Sequence, residues 1–189
     1  MKKVLGISCG RRNGNSEILM KEAMMAIQEH CEAECSYIRL MDAEVKACVG
    51  CETCVKRKLA GDNEFRCITP ADADHVYLIE QACREADAII FAAPIYNILP
   101  PGILVKLLNK LHACGDYRTF VGQNPKVGAT IAVGGSDWVE YMQPIMNMTC
   151  QEFVGGFLRV VDSLVQGFSP AVQGVLADDE FLARAHQLG

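Results

Sequence analysis

Five short runs rich in Val, Ile and Ala recur along the chain, separated by stretches in which apolar residues return every three or four positions. The runs are KVLGIS (3–8), AECSYIRL (33–40), ADAIIFAAP (86–94), KVGATIAVGG (126–135) and, less sharply, GFLRVVDS (156–163). Short apolar runs of this kind suit strands that are covered on both faces. Between them, Ser16 can cap a helix carrying Ile18, Leu19, Ala23, Ala26 and Ile27 on one face. Asp72 or Asp74 can start another, carrying Val76, Ile79, Ala82, Cys83 and Ala86. Helical patterning returns from Pro101 to His112 and from about Trp138 to Phe153, where Pro144 is expected to kink or reset the helix because it has no amide hydrogen. Strand and helix alternating in this way favour a parallel sheet with helices on both faces. Only the interval 41–70 lacks a clear period, and neither an internal repeat nor a low-complexity linker is visible.

At 189 residues, half of them apolar, the chain is expected to form a single domain over 1–189. A net charge of −5 with acidic and basic residues interspersed argues against nucleic acid as a partner, since that binding draws on excess Lys and Arg. The opening MKKVLGISCG has an apolar run that breaks at Ser8 and Gly10, too short for a signal peptide, and no stretch is long enough to span a membrane. The expectation is therefore a cytoplasmic protein whose ten cysteines are thiols serving as metal ligands, catalytic groups or small buried hydrophobes.

A parallel sheet binds ligands at the carboxyl ends of its strands, and three of those ends are unusual here. SCGRRNGNSE (8–17) leaves the first strand through two glycines and two arginines. Such a loop can hold a phosphate through close backbone approach, helix-start amides and the charge of Arg11 or Arg12; it can equally be a polar turn. It lacks the lysine and hydroxyl pair of a nucleotide P-loop and is not a dinucleotide fingerprint. AAPIYNILPPG (92–102) can project a flat, partly aromatic loop, and VGGSDW (133–138) can turn backbone amides toward a ligand edge. Together they suit a long, flat, monophosphorylated molecule.

The aperiodic interval contains CVGCETC, with Cys48, Cys51 and Cys54 at every third position. This is the spacing by which ferredoxin-type loops hold three irons of a cubane cluster. Zinc and free or redox-active thiols are the competing readings, though structural zinc usually takes cysteine pairs separated by a long loop. Cys31, Cys35, Cys83, Cys114 and Cys150 fall on or beside apolar stretches and read as small buried hydrophobes. His30, His75, His112 and His186 share no ligand spacing and read as surface or capping residues. Met142, Met146 and Met148 beside Trp138 read as core or a subunit interface rather than a ligand border. No nucleophile turn with a Ser, His and Asp set is present.

GISCGRRNGNSEILMKEA, CVGCETC, AAPIYNILPPGILVKLLNK and AVGGS occur in the order found in NADPH-dependent FMN reductase-like proteins of flavodoxin fold, and the chain resembles in particular the iron-sulfur flavoproteins among them. The likeness covers roughly residues 1–140. It implies an α/β fold with a doubly wound, five-stranded parallel sheet of order 2-1-3-4-5 and a cysteine-rich loop, at about 41–70, inserted after strand 2. It also implies FMN as cofactor, its phosphate in the first loop and its ring between the loops after the third and fourth strands. By position, Arg11, Asn13, Asn15 and Ser16 match the phosphate loop, with Ser8, Cys9 and Arg12 beside them, and Pro94, Tyr96 and Lys106 match the third-strand segment. Ile95, Asn97 and Ile98 complete that segment, and Gly134, Gly135 and Ser136 form the fourth-strand loop. Two departures stand out. The first loop is one residue shorter than the family's, so that Ser8 or the Cys9 thiol takes the place of a hydroxyl donor, and Cys9 sits in a cationic loop that can lower a thiol's pKa. Asn97 and Ile98 stand where an aromatic residue and a glycine are common.

The same resemblance implies a [4Fe-4S] cluster on Cys48, Cys51 and Cys54, with Cys67 as fourth ligand, and places Lys56, Arg57 and Lys58 where they can offset its negative charge. The expected function is passage of electrons between that cluster and FMN, with a ferredoxin-like or NAD(P)H donor and a small oxidant such as a quinone, dioxygen or peroxide as acceptor, in a homodimer or homotetramer. Two other readings stay open. One is an NAD(P)H-dependent FMN or quinone reductase without a cluster. The other is a non-enzymatic electron carrier or redox-sensing module.

Overall fold

The structure, a computed structural model, describes residues 1–62, 67–70, 73–114, 126–136, 138–153, 158–167 and 173–189. Its five strands are β1 (Lys2–Ser8), β2 (Ala33–Arg39), β3 (Ala88–Pro94), β4 (Lys126–Val133) and β5 (Leu158–Gln166). All pair in parallel in the order β2-β1-β3-β4-β5, so the chain reverses direction across the sheet between β1 and β3. This is the doubly wound, flavodoxin-like order.

Around the sheet lie α1 (Asn15–His30), α2 (Thr53–Leu59), α3 (Val76–Glu85), α4 (Gly102–Cys114), α5 (Val139–Phe153) and α6 (Asp179–Leu188). The central strand β3 shows why both faces are covered. Ile89, Phe91 and Ala93 point into one core with Cys83, Leu104, Leu107 and Met146, whereas Ile90 and Ala92 point into the other with Leu19, Met20, Ala23 and Ala185. Every one of these side chains is buried, and each large one contributes roughly 1.5–3 kcal/mol by leaving water. No residue of the edge strand β2 is fully buried: Glu34, Ser36 and Tyr37 are exposed and the others partly buried, as expected where the sheet ends. Between β4 and β5 the register shifts at Gly128, where a Cβ would sit 2.7 Å from Leu158 Cδ1, so a bulky residue there would push the strands apart.

Several local expectations are revised. Ser16 does not cap α1: the helix already begins at Asn15, Gly14 takes the extended cap position without a side-chain bond, and Ser16 is buried in the first turn. Asp74 does accept the N–H of Val76 (3.1 Å) at the start of α3, while Asp72 lies outside the described residues. α5 runs through Pro144 without a break. β5 extends to Gln166, three residues past the expected end, and Gly156 and Phe157 lie outside the described residues. Cys83 and Cys150 are buried as expected and Cys35 half-buried, but Cys31 is exposed because α1 ends just before it. α2, inside the aperiodic interval, and the carboxyl-terminal α6 are additions. Asp178 caps the start of α6, its carboxylate accepting the N–H of Phe181 (3.3 Å). No helix among the described residues is long and apolar enough to cross a membrane.

Candidate functional site

The carboxyl ends of β1, β3 and β4 converge on a cleft of about 290 Å³. The loop after β1 contributes Gly10, Arg11, Gly14, Asn15 and Ser16 to its lining. The end of β3 contributes Pro94, Ile95 and Tyr96, and the end of β4 Val133, Gly134 and Gly135. Backbone bonds fix the three loops on the sheet: Cys9 N–H donates to Ala92 O (2.8 Å), Ile95 N–H to Val133 O (2.7 Å) and Gly134 N–H to Gln166 O (2.9 Å).

Small residues hold the cleft open. A Cβ on Gly10 would lie 2.9 Å from Ser16 Oγ and 3.2 Å from Pro94 Cδ, and one on Gly134 would lie 2.1 Å from Val139 Cγ2. The first-turn amides of α1 have no intrahelical acceptors, and together with the positive end of the helix dipole and the exposed Arg11 they make a setting for a phosphate dianion. The β3 loop turns tightly through Asn97 (φ 48°) and Ile98 (φ 61°), both left-handed, with Tyr96 and Leu99 exchanging backbone bonds of 2.9 and 3.0 Å. For a β-branched residue such as Ile98 that backbone is strained. A phosphate seat at one end and a turn with Tyr96 at the other fit a flavin mononucleotide. Beneath the β4 loop, the Gln166 side-chain amide is buried with neither its oxygen nor its nitrogen hydrogen-bonded.

Not all the expected residues line the cleft. Ser8 is fully buried, its hydroxyl 3.4 Å from Glu17 Oε2. Cys9 is likewise sealed in the core, and burial, with Cys150 nearby, pushes its thiol well above the usual value. The cationic loop therefore does not activate it. Arg12, Asn13, Asn97, Ile98 and Ser136 stand outside the lining, and the Gly134 amide already serves Gln166, which leaves the Gly135 amide to face a ligand.

Arg12 instead reaches Asp42 (3.1 Å), the outer end of an ion network unmarked by any motif. At its centre Glu17, fully buried, takes two bonds from Arg39 (both 2.9 Å) and one from Lys21 (2.7 Å), and Arg39 continues to Asp42 (2.6 Å). The Arg39 bonds, assisted by Lys21, hold the Glu17 carboxyl down to about 2. The network ties the first loop to the end of β2, where the cysteine segment begins.

In that segment Cys48 and Cys51 are exposed, Cys54 is half-buried in the first turn of α2, and Cys67 is half-buried against the core. Gly50 (φ 66°) and Glu52 (φ 59°) supply the left-handed turns that wind the loop. Hydrogen bonds from Thr53, side chain first and then backbone, lower the Cys51 thiol toward the thiolate a metal needs. Both ends of the segment meet one buried ion pair. Asp74 and Lys110, essentially inaccessible to water, are bonded to each other. Asp74 Oδ1 accepts the Lys46 N–H (3.4 Å) on the entry side, and Lys110 Nζ donates to Thr69 Oγ1 (3.1 Å) on the exit side. Thr69 Oγ1 lies 3.4 Å from Cys67 Sγ, and the Tyr77 hydroxyl reaches the carbonyls of Cys67 and Thr69 (3.2 Å each). His75 and Glu44 add a reciprocal pair, Glu44 N–H to His75 Nδ1 (3.0 Å) and His75 N–H to Glu44 O (2.9 Å).

The sulfurs are not drawn into a tight tetrahedron: no three of Cys48, Cys51, Cys54 and Cys67 bring them within 4.8 Å of one another. Zinc at about 2.3 Å from each sulfur would need edges near 3.8 Å. A cubane, with one thiolate on each of four separate irons, takes sulfurs set wider than that.

The family described as NADPH-dependent FMN reductase matches residues 2–151. The chain is 33% identical over 135 residues to an iron-sulfur flavoprotein of Methanocaldococcus jannaschii, covering 71% of this chain and 63% of that protein. An iron-sulfur flavoprotein of Methanosarcina thermophila is also 33% identical over 135 residues, with 71% and 64% covered. The chain thus spans a little under two thirds of the length of these relatives. Among solved structures, a flavone reductase superposes with a TM-score of 0.73 at 25% identity, over 98% of this chain and 60% of the other. An azoreductase from Bacillus anthracis gives 0.67 at 16% identity over 99% and 96%, a likeness of fold alone.

Proposed function

The chain belongs to the NADPH-dependent FMN reductase family, and from that premise we propose that it is an FMN-dependent oxidoreductase in which Cys48, Cys51, Cys54 and Cys67 hold a [4Fe-4S] cluster that exchanges electrons with FMN in the cleft. FMN supplies both hydride and single-electron transfer, and the cluster single electrons only, so the pair converts between the two. The donor is ferredoxin-like or NAD(P)H, and the acceptor a quinone, dioxygen or peroxide.

The protein's part is placement. Arg11 and the amides at the start of α1 neutralise the phosphate, and Gly10 lets the backbone come close. Pro94 to Tyr96 shape one wall for the ring, and the turn after β4 supplies Gly135 to its other edge. Lys56, Arg57 and Lys58 fall in the last turn of α2, where their charge opposes that of the thiolates. Tyr96, Ile98, Leu99, Trp138 and Tyr141 are exposed apolar residues on or near the loops of this edge of the sheet, which favours a homodimer or homotetramer.

The observation that carries this reading is the shared anchor of the cysteine segment. Lys46 and Thr69 meet on the one Asp74–Lys110 pair, so the triplet and the fourth cysteine emerge from adjacent fixed points. Anaerobic purification followed by iron, sulfide, zinc and FMN analysis tests it. About four irons and four sulfides per chain are expected, and Cys51→Ser should lose them while retaining FMN. Flavin without iron or labile sulfide would overturn it. The cleft lining includes no residue of 41–70, which favours as second reading an NAD(P)H-dependent FMN or quinone reductase working without the cluster. Rapid anaerobic bleaching of iron-free protein by NADPH alone would select it.

A further inference from the structure

The four histidines share no spacing in the sequence, yet the fold brings two of them together. His30 ends α1 and His186 lies in the last turn of α6, with ring centroids 6.0 Å apart and the planes nearly perpendicular (79°). We propose that Glu29, His30 and His186 form a binding site for a divalent transition-metal ion of the zinc class, joining the end of α1 to α6.

One ligating atom from each of the three residues lies within 4.8 Å of the other two. His30 Nδ1 is 2.9 Å from Ala26 O, and because a carbonyl only accepts, this nitrogen carries the proton and Nε2 keeps its lone pair. His186 Nδ1 is 3.2 Å from Glu22 Oε1, and its Nε2 is 3.5 Å from Glu29 Oε2. Each imidazole thus has its Nδ1 hydrogen held by an outer acceptor, a backbone carbonyl in one case and a carboxylate in the other. That is how metal-binding histidines are commonly oriented and made more basic. Where α1 and α6 pack together, Ala23, Ala26 and Ala185 are buried and small, which lets the helices approach closely.

Two imidazoles and a carboxylate select zinc-like ions over magnesium or calcium, which prefer all-oxygen sets. Glu29 and His30 are exposed and His186 partly so, and water completes the coordination. The competing occupant is a proton: a charged His186 pairing with Glu22 and Glu29 would satisfy the same carboxylates. None of the three ligands belongs to the cleft or the cysteine segment, so the site stands independently of the redox reading.

The test is titration with Co²⁺ of cluster-loaded protein and of a variant with Cys48, Cys51, Cys54 and Cys67 replaced by Ser. One equivalent should bind in both, giving weak visible bands of nitrogen and oxygen ligation without the intense near-ultraviolet absorption of thiolate. His186→Gln, His30→Gln and Glu29→Gln, checked for unchanged circular dichroism and FMN content, should each weaken it at least about tenfold. Zn²⁺ at a hundred times its Kd should raise the melting temperature by about 5–10 °C in the parent and not in His186→Gln. No cysteine-independent equivalent, or one indifferent to all three substitutions, would overturn the proposal.

Discussion

Replacing Lys110 by Met keeps the length of the side chain but removes the ammonium from Asp74. Were this pair on the surface, its loss would cost no more than about 1 kcal/mol. Its side chains are only 1% and 0% exposed, so the variant leaves a carboxylate in the interior with no opposing charge. The backbone amides of Val76 and Lys46 still donate to it, at 3.1 and 3.4 Å, which softens the loss without neutralising the charge. Stranding one member of a buried pair typically costs about 3–5 kcal/mol, against a total stability of about 5–15 for a domain. Lys110→Met is therefore expected to remain folded at neutral pH with a much lower urea midpoint. Asp74→Leu should cost a similar amount by stranding the ammonium. The double variant strands neither charge, and its loss should fall about 2 kcal/mol or more below the sum of the singles. Because the pair anchors Lys46 and Thr69, Lys110→Met should also retain less iron while keeping FMN. A loss under 1 kcal/mol in the single variant, or strict additivity in the double, would refute the reasoning.

Glu17 gives a pH dependence of defined sign. Its folded carboxyl titrates near 2, against about 4.3 in an unfolded chain, so its contribution is complete above about pH 5 and lost as pH falls toward 2. After allowance for the solvent that reaches its partners Lys21 and Arg39, this is on the order of 2–3 kcal/mol; urea midpoints at pH 7 and 3 should show it, and an equal slope in Glu17→Gln would refute it. Gly134→Ala places a Cβ 2.1 Å from Val139 Cγ2 and should cost about 1–3 kcal/mol and weaken FMN retention, whereas Gly135→Ala meets open space; equal effects in denaturation and flavin release would contradict the geometry. Ile98→Gly relieves the left-handed backbone at φ 61° and should stabilise the protein by roughly 1 kcal/mol, about 2–4 °C in the melting temperature, and a fall in that temperature would show the turn to be unstrained.

The alternation of short apolar runs with helical periods was enough to specify a parallel sheet, because periodicity is a property of consecutive residues and survives without knowledge of neighbours. The strand order is the one the resemblance implies, and the pairing of β1 with both β2 and β3 agrees with it. The glycines and arginines after β1 marked one wall of the cleft for the same local reason, and the cysteine triplet announced itself by spacing. Helix α6 leaves little mark on the sequence because its buried face is thin: Ala185 alone is fully buried, with Phe181, Leu182 and Leu188 partly so.

What the sequence could not determine was which polar groups meet. Cys9 reads as a loop thiol among cations, yet its backbone pairs with β3 and carries the side chain into the core. Gly134 reads as an amide free for a ligand until β5, arriving from beyond α5, takes it. Lys110 and Asp74 are 36 positions apart, Glu17 and Arg39 22, and nothing in either neighbourhood marks one as the partner of the other. His30 and His186 meet only because α6 returns to pack on α1. Charges and ligands act over a few ångströms in space, so their pairing is decided by how the sheet and its helices close, whereas hydrophobic period is written along the chain itself.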